Sequence, residues 1–492
     1  MMVATKDRPI VVDVRVLVGN RRAAFIPYAL LALLIAIPCF WQEHIQSVDL
    51  SSHLYNAWLV NEVTAGHLPG LHVATQYTNV VFDLMLSFLM RHTGSVVATE
   101  RIAVVIAVQI FFWGCFAFVS AASSRRVWPV TPLLAMLTYG VVYRIGFFNF
   151  YISTGLCCFA LALVWKKRWP WLAAGLLALA FLAHLLPCIW AGGVMAYLYV
   201  ARRLHARYRL TLLGASALTI LALSGLVTYF VPSLSPSGLH VDSLFGVDQM
   251  LMWGAKYRVV AAVCFFYYVL VLIRRFDRES PLRDISFQLW VLSALACLFL
   301  PDAVWMRFYT SGLSYITIRL SLFCAIFLLP VIATVPLPRL AHVVPVLAAV
   351  VFFSLTYLDE RSLNAVEGRM QAAVSALPAG VRVLAAIHDP RLYVQGLEHM
   401  IDRPCIGRCF DYGNYEASTS QFRLRPEAGN FYVLADNGDI GALEHGKYVF
   451  WRKDLQVYKL FPCDEGKFCS APLVPGELVA SQQLNSLAAR RD

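Results

Sequence analysis

Eleven apolar stretches near the length of a bilayer crossing dominate this sequence. They fall at about 23–41, 100–121, 128–145, 150–165, 169–185, 187–201, 210–231, 257–273, 285–301, 318–336 and 341–358. At 1.5 Å per residue, roughly 20 apolar residues cross a hydrocarbon core of about 30 Å. Lipid offers no partner to backbone N–H and C=O groups, so such stretches are forced into helices. Composition agrees: 59% of the 492 residues are hydrophobic and 14% charged, too apolar for a soluble domain. A mainly α-helical polytopic membrane protein with about 11 transmembrane helices is expected. The formal net charge of +11 does not point to nucleic acid. Its Lys and Arg sit in small clusters between apolar stretches, not in a basic module interleaved with aromatics.

Charge also orients the chain. The segment 80–91 (VVFDLMLSFLMR) is too short to cross and is interrupted by Asp83, so it is read as an interfacial helix. One side then receives Arg21–Arg22, Arg125–Arg126, Lys166–Lys167–Arg168, Arg202–Arg203–Arg207–Arg209, Arg274–Arg275–Arg278–Arg283 and Arg339. The other receives only scattered cations, which is the positive-inside pattern. This predicts a cytoplasmic N-terminus, a membrane domain over 1–358 with a first outer loop at 42–99, and an extracytoplasmic domain over 359–492, in the cell (inner) membrane. No small-x-small site precedes the loop, so the first stretch is read as a retained span.

The tail carries helical spacing over 360–377, then the strand-like runs VRVLAAI (381–387), FYVL (431–434), KYVFWR (447–452) and QVYKL (456–460), which suggest a small α/β module. Its four cysteines, Cys405, Cys409, Cys463 and Cys469, read as two disulfides in an oxidising compartment. Zinc held by four thiolates is the rival. The other eight cysteines lie in or beside apolar stretches and read as packing residues. No phosphate loop, nucleophile elbow or zinc-protease motif is present, and neither metal nor cofactor is expected.

The polar stretch 42–79 is far longer than a connection between two helices needs. Leu50, Leu54, Ala57, Trp58 and Val63 predict a helix lying on the membrane surface. Asp49 follows directly after the first span, at headgroup height, where a carboxylate is costly and marks a functional site. It is read as a general base taking the proton of an acceptor hydroxyl, with N-capping of a helix starting at Leu50–Ser51 as its plainer role. His53, four residues on, shares its face and is read as a substrate contact or hydrogen-bonding partner. Arg144 precedes the turn Gly146-Phe-Phe-Asn149-Phe. Lys256 and Arg258 end the loop 232–256, which also carries His240, Asp242 and Asp248, and Arg307 and Arg319 bracket the last outer loop. Such cations usually snorkel to water, but a lipid phosphate needs fixed positive charge, so all five are candidate substrate-binding residues, Arg319 and Lys256 foremost. His184, in AHLLP (183–187), reads as a helix-end packing residue.

The first 130 residues resemble the GT-C class of integral-membrane glycosyltransferases. The resemblance rests on Asp49, on His53, Ala57 and Gly66 at matching intervals, on the interfacial helix 80–91, on Gly94, and on Glu100–Arg101 opening the next span. Leu50 stands where many members have Glu, and Asn79-Val-Val replaces a frequent Pro-Pro. The resemblance implies inverting transfer of a sugar from a polyprenyl-phosphate donor to an extracytoplasmic saccharide, lipid or protein acceptor, with Asp49 as base. Rival readings are a lipid or saccharide transporter or flippase, for which no internal repeat is found, and a non-catalytic subunit of cell-envelope polysaccharide assembly.

Overall fold

The computed structural model describes residues 21–124, 127–230, 241–278, 281–305, 312–389, 391–393, 395–419, 422–463, 466–480 and 482–484. Seven described helices are long and apolar enough to cross a membrane: Val96–Ser123, Phe148–Trp165, Leu185–Arg203, Ala206–Phe230, Ala255–Asp277, Ile316–Thr334 and Arg339–Ser375. Ile26–Cys39, Pro170–Ala183 and Ile285–Phe299 are shorter apolar helices. The stretch 128–145 is not one helix. It breaks into a 3-10 turn, Trp128–Val130, and helices Thr131–Thr138 and Val141–Ile145. The break falls at Gly140, where a side chain would press within 2.7 Å of the Gln249 carbonyl oxygen. The eleven expected spans thus resolve into these seven, three shorter helices and one broken stretch.

Ile316–Thr334 is buried along almost its whole length and forms the bundle centre. Val96–Ser123 and Phe148–Trp165 cross at Gly114 and Gly155, where a Cβ on Gly114 would collide with the Gly155 carbonyl. Small residues let two membrane helices approach closely enough for dispersion to hold them. Arg209–Phe230 buries only Ser224 and turns its apolar surface outward.

The first loop carries helices Val48–Thr64 and Val81–Thr93. The expected surface helix is instead enclosed: Ser52, His53 and Asn56 are buried together with Leu50 and Leu54. A helix covered on every side has no reason to be strongly amphipathic, so its sequence pattern misleads. The second helix has 13 residues, about 20 Å, short of a crossing.

The helix Val343–Ser375 runs through residue 358 without a break. Beyond it lies a four-stranded sheet in the order Phe468–Pro472, Val457–Pro462, Arg382–Ala385, Phe410–Asp411. The first two strands pair antiparallel and the others parallel. VRVLAAI, KYVFWR and QVYKL contain the expected strands, but FYVL does not. There the Asn430 side-chain oxygen accepts from the N–H groups of Tyr432 and Val433 at 2.9 and 3.3 Å, and the chain turns instead of extending. Disulfides join Cys405 to Cys409 and Cys463 to Cys469. The second closes the hairpin between the two antiparallel strands.

Loop and tail interlock. Leu71–Val73 of the loop pairs antiparallel with Leu424–Pro426 of the tail. Gly70 packs on Asn430 so closely that a Cβ would lie 3.2 Å from its Cα, and its φ of +92° suits glycine alone. Buried charges complete the joint: Arg403 donates to both Glu367 oxygens at 2.6 and 2.8 Å and to the Ile45 carbonyl at 3.1 Å.

Candidate functional site

Between the loop, the helix bundle and the tail lies a cavity of about 1020 Å³. Asp49 lines it from the first turn of Val48–Thr64, one residue inside the helix start. It is not the N-cap, which is Ser47. The unpaired N–H groups of a first turn favour a carboxylate there. Gly146 seats the opposite turn: its φ is +102°, and a Cβ would stand 2.8 Å from the Asp49 nitrogen and Cβ. The Asp49 carboxylate is 17% exposed, and His399 Nε2 stands 3.9 Å from its Oδ1. Burial holds its pKa above the usual carboxylate range, against the pull of His399, His53 and Arg319 and with the help of Glu398.

His53, one turn on, also lines the cavity. Its Nδ1 lies 2.7 Å from Asp83 Oδ1 and 3.5 Å from Glu416 Oε1. Asn149 holds the other Asp83 oxygen at 2.9 Å and accepts from the Phe82 N–H at 2.8 Å. Burial alone would lower His53, but Asp83, Glu416 and Asp49 outweigh it and push the imidazole up to about 10. It is an imidazolium at neutral pH, a fixed charge beside Asp49. His399 is the reverse case: burial depresses it, only partly opposed by Asp49, so it is neutral.

Arg319 opens Ile316–Thr334 on the same cavity. It is 8% exposed. Its guanidinium lies 4.2 Å from the Phe147 ring centroid and 5.6 Å from that of Phe150, and Nη1 donates to the Ser314 carbonyl at 2.9 Å. Nε has no partner, and among the described residues no carboxylate pairs with this side chain. His184 caps Leu185–Arg203 by accepting from the Leu186 N–H at 3.1 Å, as a helix-end residue should, and lines the cavity as well.

The other candidate cations lie elsewhere. Arg144 is fully buried, ion-paired to Glu360 and bonded to the Gln46 carbonyl at 2.8 Å. Lys256 pairs with Asp359, whose second oxygen takes the Tyr257 hydroxyl at 2.7 Å. Arg258 sits over the ring of the cavity residue Tyr393 at 5.6 Å. Arg307 and His240 fall outside the described residues. Among the described residues, no group of three or more His, Cys, Asp or Glu side chains is arranged to hold a metal ion.

Sequence reading missed His399, Glu416 and the tail wall of the cavity. His399 carries no spacing signal towards Asp49, 350 residues earlier, and only the folded tail brings the two together. No protein-family model, curated protein or solved structure matches this chain, and none identifies the glycosyltransferase class that the first loop resembles.

Proposed function

We propose that this protein transfers a sugar from a polyprenyl-phosphate donor to a hydroxyl acceptor on the extracytoplasmic face of the membrane. One observation carries the reading: a carboxylate with a raised pKa, Asp49, and an arginine without a carboxylate partner, Arg319, share a single cavity between membrane helices and tail. A buried charge left unpaired by the protein is costly unless a ligand neutralises it. Apolar Ile145, Ile189 and Ile318 line the bundle wall near Arg319, which suits an amphipathic anion whose phosphate meets the guanidinium.

In the proposed reaction the acceptor oxygen attacks the anomeric carbon while Asp49 takes the hydroxyl proton. The bond from that carbon to the phosphate oxygen breaks, its electron pair leaves with the lipid phosphate, and the configuration inverts. Arg319 stabilises the charge that develops on the leaving phosphate. His53, charged and braced by Asp83, pulls the Asp49 pKa back down against burial and so favours the carboxylate, the form that can take a proton. The test is incubation of purified protein with a panel of polyprenyl-phosphate sugars and hydroxyl acceptors. Transfer by the native protein and its loss in Asp49→Asn support the reading. Equal turnover by both proteins removes Asp49 from the chemistry.

A further inference from the structure

The cavity has two chemically different walls. The bundle wall carries a cation, Arg319, among apolar and aromatic side chains such as Phe147, Phe150 and Ile318, whereas the tail wall presents Tyr393, Gln395, Glu398, His399, Tyr415 and Phe422. His399 packs on Tyr415 at 4.5 Å between ring centroids, and Tyr415 meets Phe422 edge-on at 5.5 Å. Planar hydrogen-bonding groups are interleaved with these rings. Gln395 Nε2 is held by the Leu392 carbonyl at 3.2 Å, while its Oε1 is buried with no partner among the described residues. Among the described residues the tail contributes no Lys or Arg to the cavity lining, and Arg258, which lies over the Tyr393 ring, is not in that lining, so the tail wall suits a neutral ligand better than a phosphate.

We infer that the tail wall is the acceptor subsite and that its ligand is a saccharide, its ring faces stacked on Tyr415 and Tyr393 and its hydroxyls bonded to Gln395 and Glu398. Aromatic faces accept the apolar C–H side of a sugar ring, and planar amides and carboxylates accept its hydroxyls. The 3.9 Å approach of His399 to Asp49 joins this wall to the base, so a ring seated on Tyr415 delivers a hydroxyl to Asp49. The inference rests on the transfer reaction proposed above for the meaning of "acceptor", but its test does not depend on that reaction.

The full-length protein in detergent is mixed with glucose, galactose, mannose and N-acetylglucosamine trisaccharides, and with a serine- and threonine-containing hexapeptide, and binding is read by saturation-transfer NMR without donor. At least one trisaccharide binds, and its Kd rises about tenfold or more in Gln395→Leu and in Tyr415→Ala. Tyr393→Ala, at a side chain 44% exposed, replaces Tyr415→Ala if that variant does not fold. Binding persists in Asp49→Asn, so failure of the catalytic reading and failure of the subsite are seen separately. The subsite is overturned if no trisaccharide binds, if the variants bind as the native protein does, or if only the hexapeptide binds.

Discussion

Two charged regions of this molecule lie close together and follow opposite rules. At the joint between loop, long helix and tail, every buried cation has its counter-charge: Arg144 with Glu360, and Arg403 with Glu367 and, at 3.6 Å, Glu100. In the neighbouring cavity no carboxylate among the described residues pairs directly with Arg319. The nearest ionisable partner of Asp49 is the neutral His399 at 3.9 Å, with the charges of His53 and Arg319 acting on it from farther off. A buried pair that is complete holds parts of a protein in register. A charge left open beside an empty volume is shaped for something else. The contrast separates arginines that sequence alone treats as equals.

The contrast breaks most visibly at Asp49. Asp49→Asn should lower transfer by on the order of 10² to 10⁴-fold while the melting temperature stays within error. Loss of the fold would move Asp49 into the structural class. Arg144→Met should do the opposite. It leaves Glu360 buried and unpaired, at a cost of about 3–5 kcal/mol, read as a fall in the detergent-solubilised melting temperature. Arg319→Leu should weaken the donor by roughly tenfold or more in KM and lower that temperature far less than Arg144→Met, because it abandons the Ser314 carbonyl and two ring contacts but strands no paired carboxylate.

The pH profile sharpens the comparison further. A base must be ionised to act, and burial raises the Asp49 pKa, so the rate should fall with falling pH above the range where ordinary carboxylates titrate. His53→Gln removes a positive charge that pulls Asp49 downward and should shift that acid limb upward. The stabilisation from His53 is complete below its ordinary value of 6.5 and is lost as pH rises through about 10. A native melting temperature that declines over that window, with a flatter decline in His53→Gln, is the expected outcome. Lys256→Ala should have the smallest effect, below about 1 kcal/mol, because its pair with Asp359 is 45% exposed on the lysine side.

What could be read from the sequence was local. Apolar length located the helices, and the even cysteine count in the tail matched the two disulfides. The position of Asp49 after the first span placed it on the cavity. Long-range relations were hidden. Gln46 meets Glu367, Leu71–Val73 pairs with Leu424–Pro426, and His399 reaches Asp49 across more than 300 residues. Periodicity in either partner says nothing of such contacts. Arg144 and Arg319 look alike as boundary cations, and only the position of Glu360 on the long helix distinguishes them. The break in 128–145 was equally hidden, because Gly140 is tolerated in a membrane helix and gives way here only to make room for Gln249.

The most direct test of a shared cavity is competition at Asp49 itself. A hydrophobic carbodiimide labels protonated carboxyls at apolar boundaries, and peptide mass spectrometry reads its attachment to Asp49 with and without polyprenyl phosphate. The account predicts that polyprenyl phosphate protects Asp49 in the native protein and fails to do so in Arg319→Leu. Protection that is absent in the native protein, or equal in both, would contradict the claim that one ligand spans the two residues.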